Sequence, residues 1–307
     1  MSYKTTYSPS PAPALAAQPL LITGRTGTLG RAFRRVCHIR GLEAVCLGRA
    51  ELDIADADAI ARALARYQPW AVVNAAGYVR VDEAEADAAR CYRENAVGPA
   101  LLAEACAARG IQLLTFSSDL VFDGQQAQAY LETDRARPLN VYGHSKLQAE
   151  QAVLARLPAA LVVRTSAFFG AWDAHNFVHH ALAAARAGQA FPAADDLLIS
   201  PTYVPDLVNT ALDLLLDEER GIWHLTNHGT CTWAELARQA VGAAGLDTAG
   251  IVPRPVASFG WAAVRPGFSA LRSQQGILLP SIESGLQRYL TDERMLQAAS
   301  PPAVLAE

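Results

Sequence analysis

The 307-residue sequence has no long basic run and no apolar run that approaches the roughly 20 residues of a membrane-spanning helix. Its formal net charge is −4. Proteins that bind nucleic acid or an anionic membrane surface usually carry a basic patch or stripe. We therefore expect neither nucleic acid nor a membrane among the partners of this chain.

Cysteine is also scarce, with five widely spaced residues and no C-x-x-C pair. Disulfide frameworks and structural zinc sites need closely spaced cysteines, so neither is predicted. Residues 1–18 lack the basic stretch and the apolar core of about 7–15 residues that mark a secretory signal. We expect a cytoplasmic protein with a disordered tail at 1–18 and a flexible tail at 299–307.

What the sequence does have is a regular alternation of short apolar runs and longer helical segments, beginning at Pro19. Strands that are apolar on both faces and separated by helices are typical of a parallel sheet covered on both sides. This pattern predicts an α/β fold with a doubly wound parallel sheet. The predicted strands lie at 20–23, 43–48, 70–77, 111–118 and 159–166, and the predicted helices between them at 29–38, 57–67, 94–110 and 141–157.

A glycine-rich turn, "TGRTGTLG", joins the first strand to the first helix. It spaces Gly24, Gly27 and Gly30 three residues apart and places Thr28 and Leu29 at the start of the helix. Glycine lets the backbone approach a pyrophosphate, which the free N–H groups of the helix N-terminus then bind. An ordinary glycine turn is the alternative, but the position between strand and helix favours an NAD(P)-binding Rossmann fold.

The second strand is followed by Arg49, where a typical NAD site has an acidic residue that accepts the ribose hydroxyls. A guanidinium suits the 2′-phosphate of NADPH, although a solvated arginine would look the same in sequence. NADPH is therefore favoured over NADH as the cofactor. The predicted NADP-binding Rossmann domain comprises 19–168 and about 200–222, and the smaller C-terminal substrate-binding lobe comprises about 169–199 and 223–298.

Catalysis is suggested by Ser118, at the end of the fourth strand, and by Tyr142 and Lys146 on the next helix. The tyrosine and the lysine are four residues apart and so share a helix face. A lysine charge at that distance favours the phenolate, and the tyrosine can exchange a proton with a substrate oxygen. Y-x-x-x-K alone also occurs by chance on amphipathic helices, so the interpretation depends on the glycine turn and the serine.

From about Leu20 to Leu290 the sequence resembles the extended short-chain dehydrogenase/reductases, and among them the dTDP-4-dehydrorhamnose reductase family. The motifs that carry the resemblance are "ELDIAD", "VVNAAGYVRVDEAE", "SSDLVFDG", "PLNVYGHSKLQAE", "VVRTSAFFG", "NFV", "SPTY" and "RPGFSAL". The resemblance implies an NADPH-dependent reductase of a nucleotide-linked 4-keto-6-deoxy sugar. Ser118, Tyr142 and Lys146 then take the catalytic positions, with Tyr142 as the proton donor.

The resemblance also implies roles for further residues. Asp53 and Ile54 should border the adenine, and Asn95 should hold a structural or proton-relay water. Other residues of the cofactor site are then Asn74, Ala75 and Ala76, and those of the substrate site, with Ser118, are Asp82, Asp119, Phe168, Asn176 and Arg265. No metal site is expected, because the cluster of His175, His179 and His180 lacks an accompanying carboxylate pattern.

Two positions depart from the family pattern where the sugar is expected, since Ala167 replaces a tryptophan and Phe268 an asparagine. Within the same fold an epimerase is an alternative function. A dehydratase is disfavoured because Leu120 follows Asp119 where that group has a second acid. A non-catalytic NADP-binding regulatory subunit is an alternative of another class, and a homodimer is a candidate assembly.

Overall fold

Six parallel strands form the centre of the structure, a computed structural model that describes residues 18–299. Along the sheet the order is β2-β1-β3-β4-β5-β10, and every neighbouring pair is parallel. The predicted tails lie almost wholly outside the described residues. The strands of this sheet are β1 (Leu20–Thr23), β2 (Ala44–Leu47), β3 (Ala71–Asn74), β4 (Gln112–Ser118), β5 (Leu161–Thr165) and β10 (Gly221–His224).

Helices cover both faces of this sheet, which confirms the predicted doubly wound architecture. The chain leaves β1 in one direction to form β2 and then crosses to the other side of β1 to form β3. Ligands of such sheets bind beyond the carboxyl ends of the strands, at this switch point. The covering helices are α1 (Thr28–Ile39) and α8 (Val204–Leu216) on one face and α2 (Ala57–Tyr67), α5 (Gly98–Ala107) and α6 (Val141–Arg156) on the other.

The two faces of the sheet have separate cores because successive strand residues point to opposite sides. Leu20 and Ile22 pack in the cluster with α1 and α8, whereas Leu21 packs in the cluster with α2 and α5. All three side chains are fully buried. Burial on both faces explains why the strands appear in sequence as continuous apolar runs.

The second lobe has its own core, in which Phe169, Tyr203 and Tyr289 pack together with ring centroids 5.7 and 5.8 Å apart. Residues 204–224 return to the main sheet as expected, since β10 pairs with β5 and α8 lies against α1. The remaining elements are α3 (Glu83–Ala86), α4 (Ala88–Tyr92), β6 (Phe168–Phe169), α7 (Phe177–Arg186), β7 (Phe191–Ala194), β8 (Leu198–Ile199), β9 (Thr202–Tyr203), β11 (Cys231–Thr232), α9 (Trp233–Ala243), β12 (Ile251–Arg254) and α10 (Ile282–Ala299).

One buried ion pair joins the sheet to the helix that carries the predicted Tyr-Lys pair. Arg164 of β5 donates two hydrogen bonds of 2.6 and 2.8 Å to Glu150 of α6, and both side chains are buried. The guanidinium also lies over the Phe122 ring and contacts Nε2 of His224. Burial lowers the pKa of His224 to about 4, so this imidazole is neutral near pH 7.

We expect Arg164→Met to destabilise the fold by about 3–5 kcal/mol, because it leaves the Glu150 carboxylate buried without its partner. Replacing Glu150 by leucine in the same chain should recover most of this loss, since a buried pair contributes little over apolar residues of similar volume. Arg80→Met, which breaks an exposed pair with Glu83, should cost less than about 1 kcal/mol. Denaturant unfolding measures all three. Equal losses in Arg164→Met and Arg80→Met would contradict the expectation.

Candidate active site

A cleft of about 1040 Å³ lies at the carboxyl ends of the central strands, between the sheet and the second lobe. Residues of the glycine turn line it, and so do Tyr142, Lys146 and Ser118. Arg265 of the second lobe also lines it. The structure therefore brings into one cleft the three groups of residues that the sequence predicted separately.

The glycine turn leaves no room for side chains at two of its three glycines. Gly24 has φ +74°, and a Cβ there would come within 2.5 Å of the Ala75 carbonyl oxygen. A Cβ on Gly30 would lie 2.1 Å from the carbonyl oxygen of Gly24. Strand, turn and helix are thus packed backbone to backbone. The N-terminus of α1, with Gly27 and Thr28, faces the cleft as a pyrophosphate requires, so these residues fit a dinucleotide.

A segment of the second lobe contacts this glycine turn. The sequence did not predict this contact. Thr28 donates a 2.6 Å hydrogen bond to the Asp173 carboxylate, and Trp172 donates from Nε1 to the Thr28 carbonyl oxygen. Trp172 and Asp173 lie seven and eight residues after Thr165, the last residue of β5, and no spacing pattern marks them. Their position at the N-terminus of α1 places them at the expected pyrophosphate site.

Arg49, which is expected at the 2′-phosphate, and Arg25 of the glycine turn are both engaged in ion pairs. Arg49 contacts Glu94 at 2.6 Å, and Arg25 contacts Glu51 at 2.7 Å. More than half of the Arg49 side chain remains exposed, so it is a paired and solvated arginine at the edge of the cleft. No local pattern indicates these pairs, because Glu94 lies 45 residues after Arg49 and Glu51 lies 26 residues after Arg25.

Beside the turn, Arg25 lines a second small pocket that α1 completes. Three exposed arginines of that helix supply its other charged side chains, and His38 also lines it. Several arginines thus lie near the glycine turn. The sequence prediction relied on Arg49, with Arg25 also in the glycine turn.

Other residues predicted to bind the cofactor form contacts that hold the walls of the cleft together. Asn74 is buried, accepts a hydrogen bond from Thr23 and donates one to Thr115, so it joins three strands. Ala75 and Ala76 follow it in the cleft lining. Two more predicted positions are Asp53, which pairs with Arg93 at 2.7 Å, and Ile54, which is buried beneath Gly98.

Asn95 lies in a π-helical turn, residues 93–97, which interrupts the predicted helix 94–110. Its side chain accepts a hydrogen bond from the Tyr78 backbone N–H and donates to the Tyr78 carbonyl oxygen and to Ser145. Its amide thus ties the loop after β3 to α6. The role of Asn95 in holding a water stays a prediction.

Tyr142 and Lys146 share one face of α6, with the lysine Nζ 5.7 Å from the centre of the phenol ring. The lysine ammonium donates a 3.2 Å hydrogen bond to the Phe116 carbonyl oxygen. Burial lowers the pKa of Lys146 to about 8, and burial with the nearby Asp119 carboxylate raises the pKa of Tyr142. The sequence predicted a lysine that favours the phenolate, and this stays a prediction. Burial acts in the opposite direction, because it favours the protonated phenol.

Asp119 is a buried carboxylate next to Ser118. It accepts hydrogen bonds from the hydroxyls of Ser118 at 2.9 Å, Ser166 at 2.8 Å and Ser269 at 2.6 Å. Ser118 itself accepts a hydrogen bond from the backbone N–H of Leu120. The two serines that complete this cluster were not predicted, because they lie on segments far apart in the sequence.

The predicted substrate residues Asp82 and Arg265 bind each other. Arg265 donates hydrogen bonds of 2.5 and 2.8 Å to the Asp82 carboxylate, and its guanidinium lies 4.2 Å from the centre of the Trp261 ring. This arrangement fixes the loop before Pro266 over the segment that follows β3. Arg265 and Trp261 line the cleft and are available to a ligand.

Phe168 and Asn176 both line the cleft. Asn176 is buried and caps α7, accepting from the His179 backbone N–H and donating to the Gly170 carbonyl oxygen. Its amide therefore has hydrogen-bond partners within the second lobe.

His180 also lines the cleft, with its ring 5.8 Å from that of His179. Within residues 18–299, no group of three or more histidines, cysteines or acidic residues is arranged to hold a metal.

The two departures from the family pattern lie in different surroundings. Ala167 lines the cleft and has φ +40°, a strained backbone conformation for a residue other than glycine. Phe268 packs against Tyr130, with ring centroids 6.4 Å apart, in a separate apolar cluster. Of the two, Ala167 therefore bears directly on the cleft, and Phe268 acts through packing.

Comparison with known proteins agrees with this geometry. A family model described as the RmlD substrate binding domain matches residues 18–295. The chain belongs to this RmlD family. A dTDP-4-dehydrorhamnose reductase from Streptomyces griseus is 37% identical over 257 residues, which cover 82% of this chain and 84% of that protein. A dTDP-4-keto-6-deoxy-D-glucose reductase from Streptomyces niveus is 33% identical over 254 residues, covering 82% and 87%.

Solved structures of the RmlD family have the same fold. The crystal structure of dTDP-4-dehydrorhamnose reductase from Bacillus anthracis in complex with NADP has a TM-score of 0.86 at 28% identity. The match covers 90% of this chain and 99% of that one. The predicted Rossmann fold and the resemblance to this family are thus confirmed.

A stability measurement can test the cost of the buried lysine. The pKa of Lys146 falls from 10.5 to about 8 on folding, which corresponds to a penalty of roughly 3 kcal/mol for the charged form. We expect Lys146→Met to raise Tm in the absence of ligands, although the hydrogen bond to Phe116 is lost.

The unfolded state binds more protons than the folded state between about pH 8 and pH 10.5, so the wild type gains stability across this interval. The Tm advantage of Lys146→Met should therefore be full below pH 8 and shrink above it. Thermal unfolding from pH 7 to 10 measures the difference. A Tm gap that stays constant with pH would show that the lysine is not strained by burial.

Proposed function

We propose that this chain is an NADPH-dependent reductase of a dTDP-linked 4-keto-6-deoxy sugar. The observation that carries the proposal is that Tyr142, Lys146 and Ser118 line the same cleft as the glycine turn and as Ala75 and Ala76, which follow β3. The proposal draws its substrate class from relatives named as reductases of dTDP-4-dehydrorhamnose and dTDP-4-keto-6-deoxy-D-glucose. A homodimer and a cytoplasmic location stay predictions from the sequence. Within residues 18–299, no helix is long and apolar enough to cross a membrane.

In the proposed reaction, the phenol of Tyr142 donates its proton to the keto oxygen as negative charge develops there. Its raised pKa suits this role, because a reductase needs the tyrosine protonated at the start of each turnover. Lys146 would hold the cofactor and keep a positive charge beside the phenolate that forms. When bound, NADPH would supply the hydride. Arg265, at the mouth of the cleft, is a cation suited to the diphosphate of the sugar nucleotide.

The preference for NADPH rests on the positive charge around the glycine turn. Arg25 and the neighbouring arginines of α1 form one side of this region, and Arg49 lies at the cleft edge. Arg49 is held by Glu94, and a 2′-phosphate would compete with that carboxylate for the guanidinium. The B. anthracis reductase was solved with NADP, which agrees with this choice.

Tyr142→Phe should lower kcat by about 10²–10⁴-fold, the usual contribution of a general acid. NADPH should still bind with nearly the wild-type Kd, because the phenyl ring and Lys146 remain. NADPH oxidation with dTDP-4-dehydrorhamnose gives kcat, and fluorescence titration gives Kd. Tyr67→Phe, on α2 and outside the cleft lining, is the matched control.

A Tyr142→Phe enzyme with most of the wild-type rate would exclude Tyr142 as the proton donor. Wild-type protein that binds NADPH and turns over none of the dTDP-4-keto sugars would favour the regulatory alternative.

The wild type should bind NADPH more tightly than NADH, and Arg49→Ala should reduce that difference by about 1.5–3 kcal/mol, the range for a charged hydrogen bond. Glu94→Gln should increase it, because the guanidinium is released from its carboxylate partner. Calorimetric titration with both cofactors measures these differences. Arg156→Ala, which removes an exposed arginine at the far end of α6, is the control. Equal affinities of the wild type for NADPH and NADH would rule out the proposed preference.

A further inference from the structure

The segment between β6 and α7, residues 170–176, crosses from the second lobe to the N-terminus of α1. It makes two hydrogen bonds there, and both are to Thr28. The Thr28 hydroxyl donates to the Asp173 carboxylate at 2.6 Å, and the Trp172 indole donates to the Thr28 carbonyl oxygen at 3.3 Å. The indole also packs against the apolar core that contains α1. We call these contacts the latch, because they join the second lobe to the glycine turn.

The latch segment is held by hydrogen bonds of its own. The Asp173 backbone N–H and the Asn176 side chain both donate to the Gly170 carbonyl oxygen. The His175 backbone N–H donates to the second carboxylate oxygen of Asp173 at 2.9 Å. A Cβ on Gly170 would lie 3.3 Å from the Trp172 ring, so glycine there gives the indole room. The Asp173 carboxylate is thus fixed by a hydroxyl and a backbone N–H, and neither of these donors carries a charge.

Asp173 lies where this fold binds an anion. Gly27, at the N-cap of α1, has no side chain to accept from the first N–H groups of the helix, and the first turn from Thr28 to Arg31 contains no acidic residue. Free N–H groups and the helix dipole make such a terminus favourable for an anion. A carboxylate from the second lobe is hydrogen-bonded to the first residue of that turn. The pyrophosphate of a dinucleotide would bring a second anion to the same helix terminus.

The Thr28 hydroxyl can serve only one of these anions at a time. A hydroxyl has one proton to donate, and that of Thr28 is donated to Asp173. While the latch is closed, the hydroxyl is therefore unavailable to a phosphate oxygen. A phosphate that binds at this terminus has to lie beside the carboxylate or displace it.

We propose that Asp173 competes with the dinucleotide for the N-terminus of α1, and that the latch opens when the dinucleotide binds and closes when it leaves. The carboxylate lowers the affinity of the cleft for the cofactor and so favours its release. Release of product limits the rate of many enzymes. This inference rests on dinucleotide binding, which is one part of the proposed function, and does not depend on the sugar.

Asp173→Asn removes the charge and keeps the size of the side chain. We expect this variant to bind NADPH at least about tenfold more tightly than the wild type, a gain of about 1.4 kcal/mol, because like charges brought together oppose binding. NADH and ADP-ribose should gain by the same factor, since all three molecules contain the pyrophosphate. Calorimetric titration of protein freed of bound cofactor measures the three dissociation constants.

Asp213→Asn is the matched control. This carboxylate pairs with Arg40 at the C-terminal end of the same helix, so its loss changes the net charge equally and leaves the N-terminus as it is. Its dissociation constants should match those of the wild type.

Salt separates repulsion from a structural effect of the substitution. The Debye length falls from about 10 Å at 0.1 M salt to about 3 Å at 1 M. The ratio of the wild-type to the Asp173→Asn dissociation constant should therefore fall across this range. A purely structural effect predicts a constant ratio, and a constant ratio would overturn the competition.

Opening of the latch can be followed through Trp172 without any turnover. ADP-ribose lacks the nicotinamide ring and does not absorb the light that tryptophan emits. We expect ADP-ribose to change the tryptophan fluorescence of the wild type, and most of this change to be lost in Trp172→Phe, which removes the indole that donates to Thr28. Trp70→Phe, just before β3 and outside the cleft lining, is the control and should keep the full change.

Equal dissociation constants in the wild type and Asp173→Asn, weaker binding by the variant, or equal gains in Asp173→Asn and Asp213→Asn would each overturn the competition. A fluorescence change that survives in full in Trp172→Phe would overturn the opening of the latch. Any of these results can occur in a protein that reduces the sugar. Tighter binding by Asp173→Asn would support the inference even in a protein that does not. If neither the wild type nor the variant binds a dinucleotide, both the inference and the proposed function are wrong.

Discussion

Burial of both faces of the six-stranded sheet is the constraint on which the site depends. Polar side chains inside such strands must find partners, and most therefore occur where a strand ends. Thr23 and Asn74 are the last residues of β1 and β3 and bond to each other. Asn74 also bonds to Thr115 of β4, the strand that ends at Ser118. The cleft lies at this edge, because it is where the sheet can present hydrogen-bonding groups without leaving them unpaired.

The one charged side chain within the buried strands described above, Arg164, also has partners for its polar atoms. Arg164 lies in the middle of the buried strand β5 and is accompanied by Glu150 and a neutral His224. Because Glu150 follows Lys146 by one helical turn, this pair also fixes α6 against the sheet. The position of the catalytic helix is thus linked to a buried charge pair that the sequence does not reveal.

The sequence was sufficient to predict the fold and the residues that a single local pattern specifies. The glycine turn, the apolar strands and the Tyr-x-x-x-Lys helix each lie within one short segment, so periodicity and spacing located them. It did not predict α10, whose sequence carries charges on several sides, or β12, which contains a proline and has two exposed residues. It also could not predict that Arg49 pairs with Glu94, that Arg265 pairs with Asp82, or that Ser166 and Ser269 donate to Asp119, since these partners lie 45 or more residues apart. Charge pairs formed across the fold depend on tertiary distances and leave no local pattern.

The active site combines two opposed electrostatic demands. A buried ammonium on Lys146 is destabilising, and a buried carboxylate on Asp119 is costly as well. Such costs are usual at functional sites. The structure offsets them locally, because Lys146 donates a hydrogen bond to the Phe116 carbonyl oxygen and Asp119 accepts hydrogen bonds from three serine hydroxyls. In the proposed reaction the ammonium would stabilise the phenolate that forms on Tyr142, and a lysine in water could not act there as strongly. The burial that destabilises Lys146 is thus the same condition that would make its charge effective.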